Sequence, residues 1–274
     1  MKQRYGLVVV LAAALLAITA SVSAVTWGVR DDNQHPYVGT LLFRQNGVGW
    51  YSCSGTLLSP TVMLTAGHCV EERGNVNDVT YVRFAENALE GRGNYPTIED
   101  WLNAEWIRAS QVIPHPQYDD YSAFPLTYDV GVVILSQPVY PGAYGQLPSE
   151  GFLEAFTRGQ GRRDNSFTVV GYGLQGCINP FFQDDYARYK GTVSLIEINS
   201  TFAGGASAKF TNNPGRGNGS GGSCFGDSGG PVFHAGTNIV AAITSWGITP
   251  CIGVDYQFRM DTATALNFVR QFVP

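Results

Sequence analysis

Gly226-Asp227-Ser228-Gly229-Gly230-Pro231 is the stretch on which the reading of this chain turns. It gains its meaning from Thr65-Ala66-Gly67-His68-Cys69 far upstream and from Asp129-Val130-Gly131-Val132 between the two. A serine hydroxyl is a weak nucleophile at its own pKa; it needs a base within hydrogen-bond reach and a third group to orient that base. His68, Asp129 and Ser228 supply these three residue types, each in a distinctive setting. Singly they say little. Gly-Asp-Ser-Gly is an ordinary turn, a strand-end aspartate serves turns, and a His-Cys pair can be half a metal site. Metal binding would ask for further ligands at close spacing, and none follows His68.

Outward from these motifs, the 274 residues are 44% hydrophobic and 14% charged, as in an ordered globular chain. The net charge of −5 and the lack of a long Lys/Arg run argue against a nucleic-acid partner. Lys2 and Arg4 precede an apolar stretch from Gly6 to Ala20, and Ser21-Val22-Ser23-Ala24 supplies small residues for a peptidase. Residues 1–24 therefore read as a secretory signal peptide cut after Ala24, the apolar run being too short to span a bilayer. The expectation is a secreted protein with no membrane attachment after signal removal. Export makes disulfides plausible, and the five cysteines (Cys53, Cys69, Cys177, Cys224 and Cys251) leave at least one unpaired.

Short Val/Ile/Thr/Tyr-rich runs punctuated by Gly, Pro, Asn and Asp dominate the rest: 37–43, 54–58, 62–65, 79–84, 130–135, 167–170, 192–198, 231–233 and 239–245. That is a strand pattern, and periodicity alone says all-β. Helix is expected once, near the C-terminus, where Asp261 could cap Ala263 to Phe272 and Leu266, Val269 and Val273 share a face. Asn94 to Trp106 reads as an irregular surface excursion. Asn212 to Ser223, almost all Gly, Asn and Ser, has the composition of a flexible linker, and its position just before the serine equally fits a mobile loop bordering it.

The order His68, Asp129, Ser228, with Leu57 to Cys69 before it, resembles the chymotrypsin/trypsin family of serine endopeptidases across 25–274. The resemblance implies two packed six-stranded antiparallel β-barrels, roughly 25–145 and 146–274, with a C-terminal helix and the active site in the cleft between them. It assigns His68 as general base, Asp129 as its orienting carboxylate and Ser228 as nucleophile, with the Gly226 and Ser228 amides as oxyanion hole. It implies Cys53–Cys69 and Cys224–Cys251 disulfides, leaving Cys177 as a free thiol. Ser245-Trp246-Gly247 resembles the family's substrate-binding strand. Gly222 stands where a protease cutting after Lys or Arg usually carries aspartate, so Gly222 and Gly247 imply a roomy, mostly apolar pocket. Asp255 complicates this, since a carboxylate reaching the pocket from there could restore a basic preference. Val25, freed by signal removal, would pair its ammonium with Asp227, although Trp27 stands where the family has glycine.

No cofactor or metal is expected. The expected partners are polypeptide substrates and proteinaceous inhibitors, for a monomer. Two rivals stand beside this reading. One is a catalytically silent relative that binds protein or carbohydrate, although such relatives typically lose a triad member. The other is a secreted α/β-hydrolase esterase, since Gly226 to Gly230 also fits G-x-S-x-G. That fold needs its acid and histidine after the serine, and only His234 follows Ser228.

Overall fold

The structure is a computed structural model that describes residues 25–45, 47–72, 74–119, 122–178, 181–213 and 221–273. The expected signal peptide and the middle of the Gly/Asn/Ser stretch lie outside the described residues. Among those described, no helix is long and apolar enough to cross a membrane.

Among the described residues seventeen strands form, in chain order: β1 (Val29–Arg30), β2 (Val38–Gln45), β3 (Val48–Ser59), β4 (Val62–Thr65), a hairpin of β5 (Glu71–Glu72) and β6 (Asn75–Val76), β7 (Val79–Arg83), β8 (Ile107–Pro114) and β9 (Gly131–Leu135). After them come β10 (Ser166–Gly171), a hairpin of β11 (Gly176–Ile178) and β12 (Phe181–Gln183), β13 (Tyr189–Glu197), β14 (Ser207–Asn212), β15 (Pro231–His234), β16 (Val240–Gly247) and β17 (Gly253–Arg259). The first closed barrel runs β2-β3-β4-β9-β8-β7. The second runs β13-β10-β15-β16-β17-β14 and closes through β14 and β13. All pairings within both rings are antiparallel. β1 adds to the edge of β13, so the start of the described chain belongs to the second barrel.

Three barrel strands lie outside the runs read from sequence: β8, β14 and β17. The interior of the second barrel explains two of them, because β14 and β17 bury Thr211, Asn212, Asp255, Gln257 and Arg259 beside their apolar residues. A strand that buries polar side chains among its apolar ones lacks the alternation that marks a half-buried strand. The excursion at 94–106 also holds a helix, α1 (Ile98–Glu105). The Thr97 hydroxyl accepts the Asp100 amide as its cap, and Trp101 and Leu102 bury against the first core. At the C-terminus, α2 (Ala263–Val269) is capped by Thr262 rather than by Asp261. Asp261 is instead paired with Arg259 and accepts the Leu153 amide.

The barrels are joined by a buried ion pair. Arg188, just before β13, is fully buried and donates from Nε to Asp31 Oδ2 at 2.9 Å. Its Nη1 reaches the Val38 and Phe84 carbonyls of the first barrel and the Tyr172 hydroxyl that follows β10. Its Nη2 donates to Asn33 Oδ1. Burial alone would raise the Asp31 carboxyl, but hydrogen bonds from His35 and the charges of His35 and Arg188 hold it below the usual range. Removing one partner of such a pair strands a charge. Arg188→Met is therefore expected to lower unfolding stability by about 3–5 kcal/mol, read from urea denaturation. A loss under about 1 kcal/mol, the size of an exposed ion pair, would show that the guanidinium does not hold the barrels together.

Candidate active site

His68 sits in the single helical turn Gly67–Cys69 that follows β4 on the first barrel. Cys69 in that turn bonds to Cys53 of β3, which ties the turn to the barrel wall. Asp129, immediately before β9, is almost fully buried and meets His68 twice. Its Oδ1 accepts the His68 backbone amide at 3.0 Å, and its Oδ2 lies 3.0 Å from Nδ1. From the second barrel, the Ser245 hydroxyl donates to the same Oδ2 at 2.5 Å. Burial by itself would raise the Asp129 carboxyl; the His68 charge and the bonds from His68 and Ser245 outweigh it and hold the group below the usual carboxylate range. A carboxylate held charged in this way fixes the Nδ1–H tautomer of His68 and leaves Nε2 as the basic nitrogen.

Ser228 and His68 line one cavity of about 370 Å³, whose other walls include Phe225, Trp246, Ile248 and Asp255. Gly226 has a φ of +97°, a conformation in which a β-carbon would be strained. Among the described residues, neither the Gly226 nor the Ser228 amide donates to another protein group. The Gly226 peptide is steadied by Ser54, whose hydroxyl donates to the Gly226 carbonyl at 2.8 Å and accepts the Tyr172 amide at 3.0 Å. Ser54 went unnoticed in the sequence because its role arises from a contact across the barrels.

The pocket wall differs in detail from the sequence reading. Gly222 does not line the cavity; a β-carbon there would lie 1.8 Å from Asn212 Oδ1, so Asn212 fills the space. Ser223 and Asp255 line it instead. Ser245, Trp246 and Gly247 form one side, with Trp246 stacked on Tyr256 at a centroid distance of 3.9 Å. The Cys224–Cys251 disulfide closes the loop beside them.

Val25 and Asp227 are both fully buried, but no contact between them is present among the described residues. Asp227 accepts the Gly173 and Cys224 amides at 2.8 and 2.9 Å. Burial pushes its carboxyl up to about 7, against the pull of those two amides and aided by the charges of Asp255 and Asp184. Among the described residues, two groupings of metal-ligand residue types occur, Cys53/His68/Cys69 and Cys177/Cys224/Cys251. Each is built around a disulfide, whose sulfurs are not available as thiolate ligands.

A family model described as Trypsin matches residues 27–269 of this chain. The chain belongs to the trypsin family. It is a serine endopeptidase, and the barrels rule out the α/β-hydrolase alternative. Human chymotrypsin-like elastase family member 1 is 24% identical over 73% of this chain and 71% of its own length. The dog relative of the same name is 26% identical over 75% and 73%. Among solved structures, HL collagenase is similar with a TM-score of 0.66 and 17% identity, covering 90% of this chain and 96% of that one. The structure of GrC is similar with a TM-score of 0.63 and 17% identity, covering 89% and 97%.

Cys177 is buried and is the free cysteine; burial raises its thiol above the ordinary value. Thiol titration of the native, non-reduced protein with iodoacetamide is expected to be slow and to yield one equivalent only after unfolding. Rapid native labelling, or more than one equivalent, would contradict this arrangement of the five cysteines.

Proposed function

We propose that Ser228, His68 and Asp129 carry out peptide-bond hydrolysis through an acyl-enzyme. The observation that supports this most is the Asp129 carboxylate, buried, ionised and bonded to His68 Nδ1, with His68 and Ser228 facing the same cavity. His68 Nε2 would take the proton of Ser228 Oγ as that oxygen attacks the scissile carbonyl. The oxyanion that develops would be met by the Gly226 and Ser228 amides, which are preorganised donors. The imidazolium, stabilised by Asp129, then gives its proton to the leaving amine. Water activated by the same histidine releases the acid.

The cavity walls of Phe225, Trp246 and Ile248 favour a large apolar or aromatic side chain before the scissile bond. An apolar pocket discriminates one methylene by only about 1–3 kcal/mol, so the preference should be broad. Ser228→Ala, His68→Ala and Asp129→Asn are each expected to lower kcat by roughly 10⁴-fold on a peptide substrate. Combined losses should not add, because the three act as a unit. Near-full activity in a folded Asp129→Asn protein would reassign the orienting carboxylate.

Export with removal of residues 1–24 would turn the Val25 amide into an ammonium beside the second-barrel core. Val25 already packs near Gly221, and Thr26 is bonded to the Gly222 carbonyl. We propose that this ammonium pairs with Asp227, which has no cationic partner among the described residues. A sign argument gives the test. With its folded value raised to about 7, Asp227 in the uncut chain contributes stability that is fully present below about pH 4 and lost as pH rises through 7. Pairing with Val25 removes that loss. The Tm of Ser228→Ala protein beginning at Val25 should therefore exceed that of the extended form by a margin that widens from pH 4 to pH 7. A constant margin would refute the pairing, as would an active secreted form whose N-terminal sequence starts elsewhere.

A further inference from the structure

A cavity of about 630 Å³ lies apart from the catalytic one and shares no lining residue with it. Three pieces of chain wall it: the segment ahead of β2, the outward faces of β10 and β13, and the 236–238 turn between β15 and β16. Thr168 of β10 stands opposite Thr192 of β13, and both alternate with Phe167, Val169 and Val193 of the second core. Their side chains therefore point away from that core and toward the cavity, as the two-residue period of a strand requires. Lys190, two residues before Thr192, shares that face.

The polar groups here are donors without acceptors. The Lys190 ammonium makes no ion pair or hydrogen bond among the described residues. A half-buried lysine is usually just hydrated, so this alone says little. Tyr37 says more. Only 5% of its surface is exposed, yet its hydroxyl has no partner among the described residues. The hydroxyl is not sealed in, and the cavity is the space that Tyr37 lines, so it opens there. A buried phenol ordinarily finds an acceptor. Its ring is pinned edge-on against His35 and Phe233, at centroid distances of 6.0 and 5.8 Å, which fixes where the hydroxyl points. Burial and the Asp31 charge push the hydroxyl up to about 12, so it remains an O–H donor.

His35 adds a further group. Its ring is stacked on Phe233, and its Nδ1 lies 2.5 Å from Asp31 Oδ1. With Nδ1 engaged, Nε2 is the nitrogen left for the cavity, and it has no partner among the described residues. No Asp or Glu lines the cavity; Asp31 stands behind the imidazole, occupied by His35 and Arg188. The walls thus present an ammonium, an imidazole, a phenol and two threonine hydroxyls, and no charged acceptor.

We propose that this cavity binds a tetrahedral oxyanion, the phosphate or sulfate group of a small polar molecule, through Lys190, Tyr37 and His35, with the Thr168 and Thr192 hydroxyls as further donors. A tetrahedral group sends its oxygens in several directions and so suits donors on facing walls, whereas the two oxygens of a carboxylate share a plane. Hydrogen bonds from cationic donors to an anion are the strong ones. The volume lies in the range of small-molecule sites, about 300–1,000 Å³, and leaves room for the body that carries the group. An anion that fixes His35 also fixes the Asp31 that Arg188 uses, so occupancy tightens the junction between the barrels. None of this depends on the reading of Ser228, His68 and Asp129 as the peptidase centre.

The test is equilibrium dialysis of the wild-type protein against radiolabelled inorganic phosphate, sulfate or acetate. Ionic strength is held constant with sodium chloride, so that screening does not vary. One equivalent of phosphate or of sulfate should bind saturably, with a Kd below about 5 mM. Tyr37→Phe keeps the buried ring and removes only the hydroxyl; it should weaken binding about tenfold, the effect of one hydrogen bond to a charged group. Lys190→Met keeps the aliphatic stem and should weaken binding at least as much. Lys209→Met, outside the cavity, should bind as the wild type does. Failure of both phosphate and sulfate to bind saturably overturns the proposal, as does acetate binding as tightly as they do. Unchanged binding in Tyr37→Phe or Lys190→Met, or an equal loss in Lys209→Met, overturns it too. The wild-type dialysis with the three anions decides the matter even where a variant fails to fold.

Discussion

The Arg188 guanidinium holds together the pieces on which everything else in this molecule depends. It takes acceptors from the segment before the first barrel, from the first barrel itself and from the end of β10 in the second. Two closed barrels have no shared sheet, so their relative placement must come from contacts of this kind. A planar fork of N–H donors suits the task better than an ammonium, because it fixes direction as well as distance. The placement matters because neither barrel holds the whole of the proposed site. His68 and Asp129 come from one, Ser228 and Ser245 from the other.

Within the cleft the same economy of parts recurs. Ser54 of β3 bonds to both Tyr172 and the Gly226 carbonyl, which carries first-barrel geometry into the turn before Ser228. Its backbone amide also donates to the Ser228 carbonyl. The serine turn is thus framed by a disulfide at Cys224, by the carboxylate of Asp227 under its amides and by a hydroxyl from the opposite barrel. Such over-determination is what a positive-φ residue such as Gly226 requires if it is to persist.

Much of this was legible in the chain because chemistry restricts residue type. The histidine turn, the aspartate before a buried strand and the glycine-rich serine turn use residues that few other needs would place together. Both disulfides followed once that resemblance was accepted. What escaped was set by tertiary register. Gly222 is adjacent in sequence to the serine turn and looked like the pocket floor, yet Asn212 occupies its space. Asp255, over twenty residues beyond Ser228, reaches the pocket wall only because a bulged β16–β17 pairing brings it opposite Gly247. The strands β14 and β17 were missed for the same reason that makes them useful: their buried faces carry Asn212, Asp255 and Gln257, which a hydrophobic pattern does not register.

The Asp129 carboxylate is gripped from both barrels, by His68 on one side and by the Ser245 hydroxyl on the other. It is therefore a clasp across the cleft as well as a charged group within it. Any hinge-like parting of the barrels would pull the hydroxyl from the carboxylate, admit water and free the imidazole to turn, long before either barrel lost its own hydrogen-bonded ring. Catalytic competence in this architecture is a gauge of docking between two independently closed bodies. Partial denaturation should silence the enzyme while its strands are still intact.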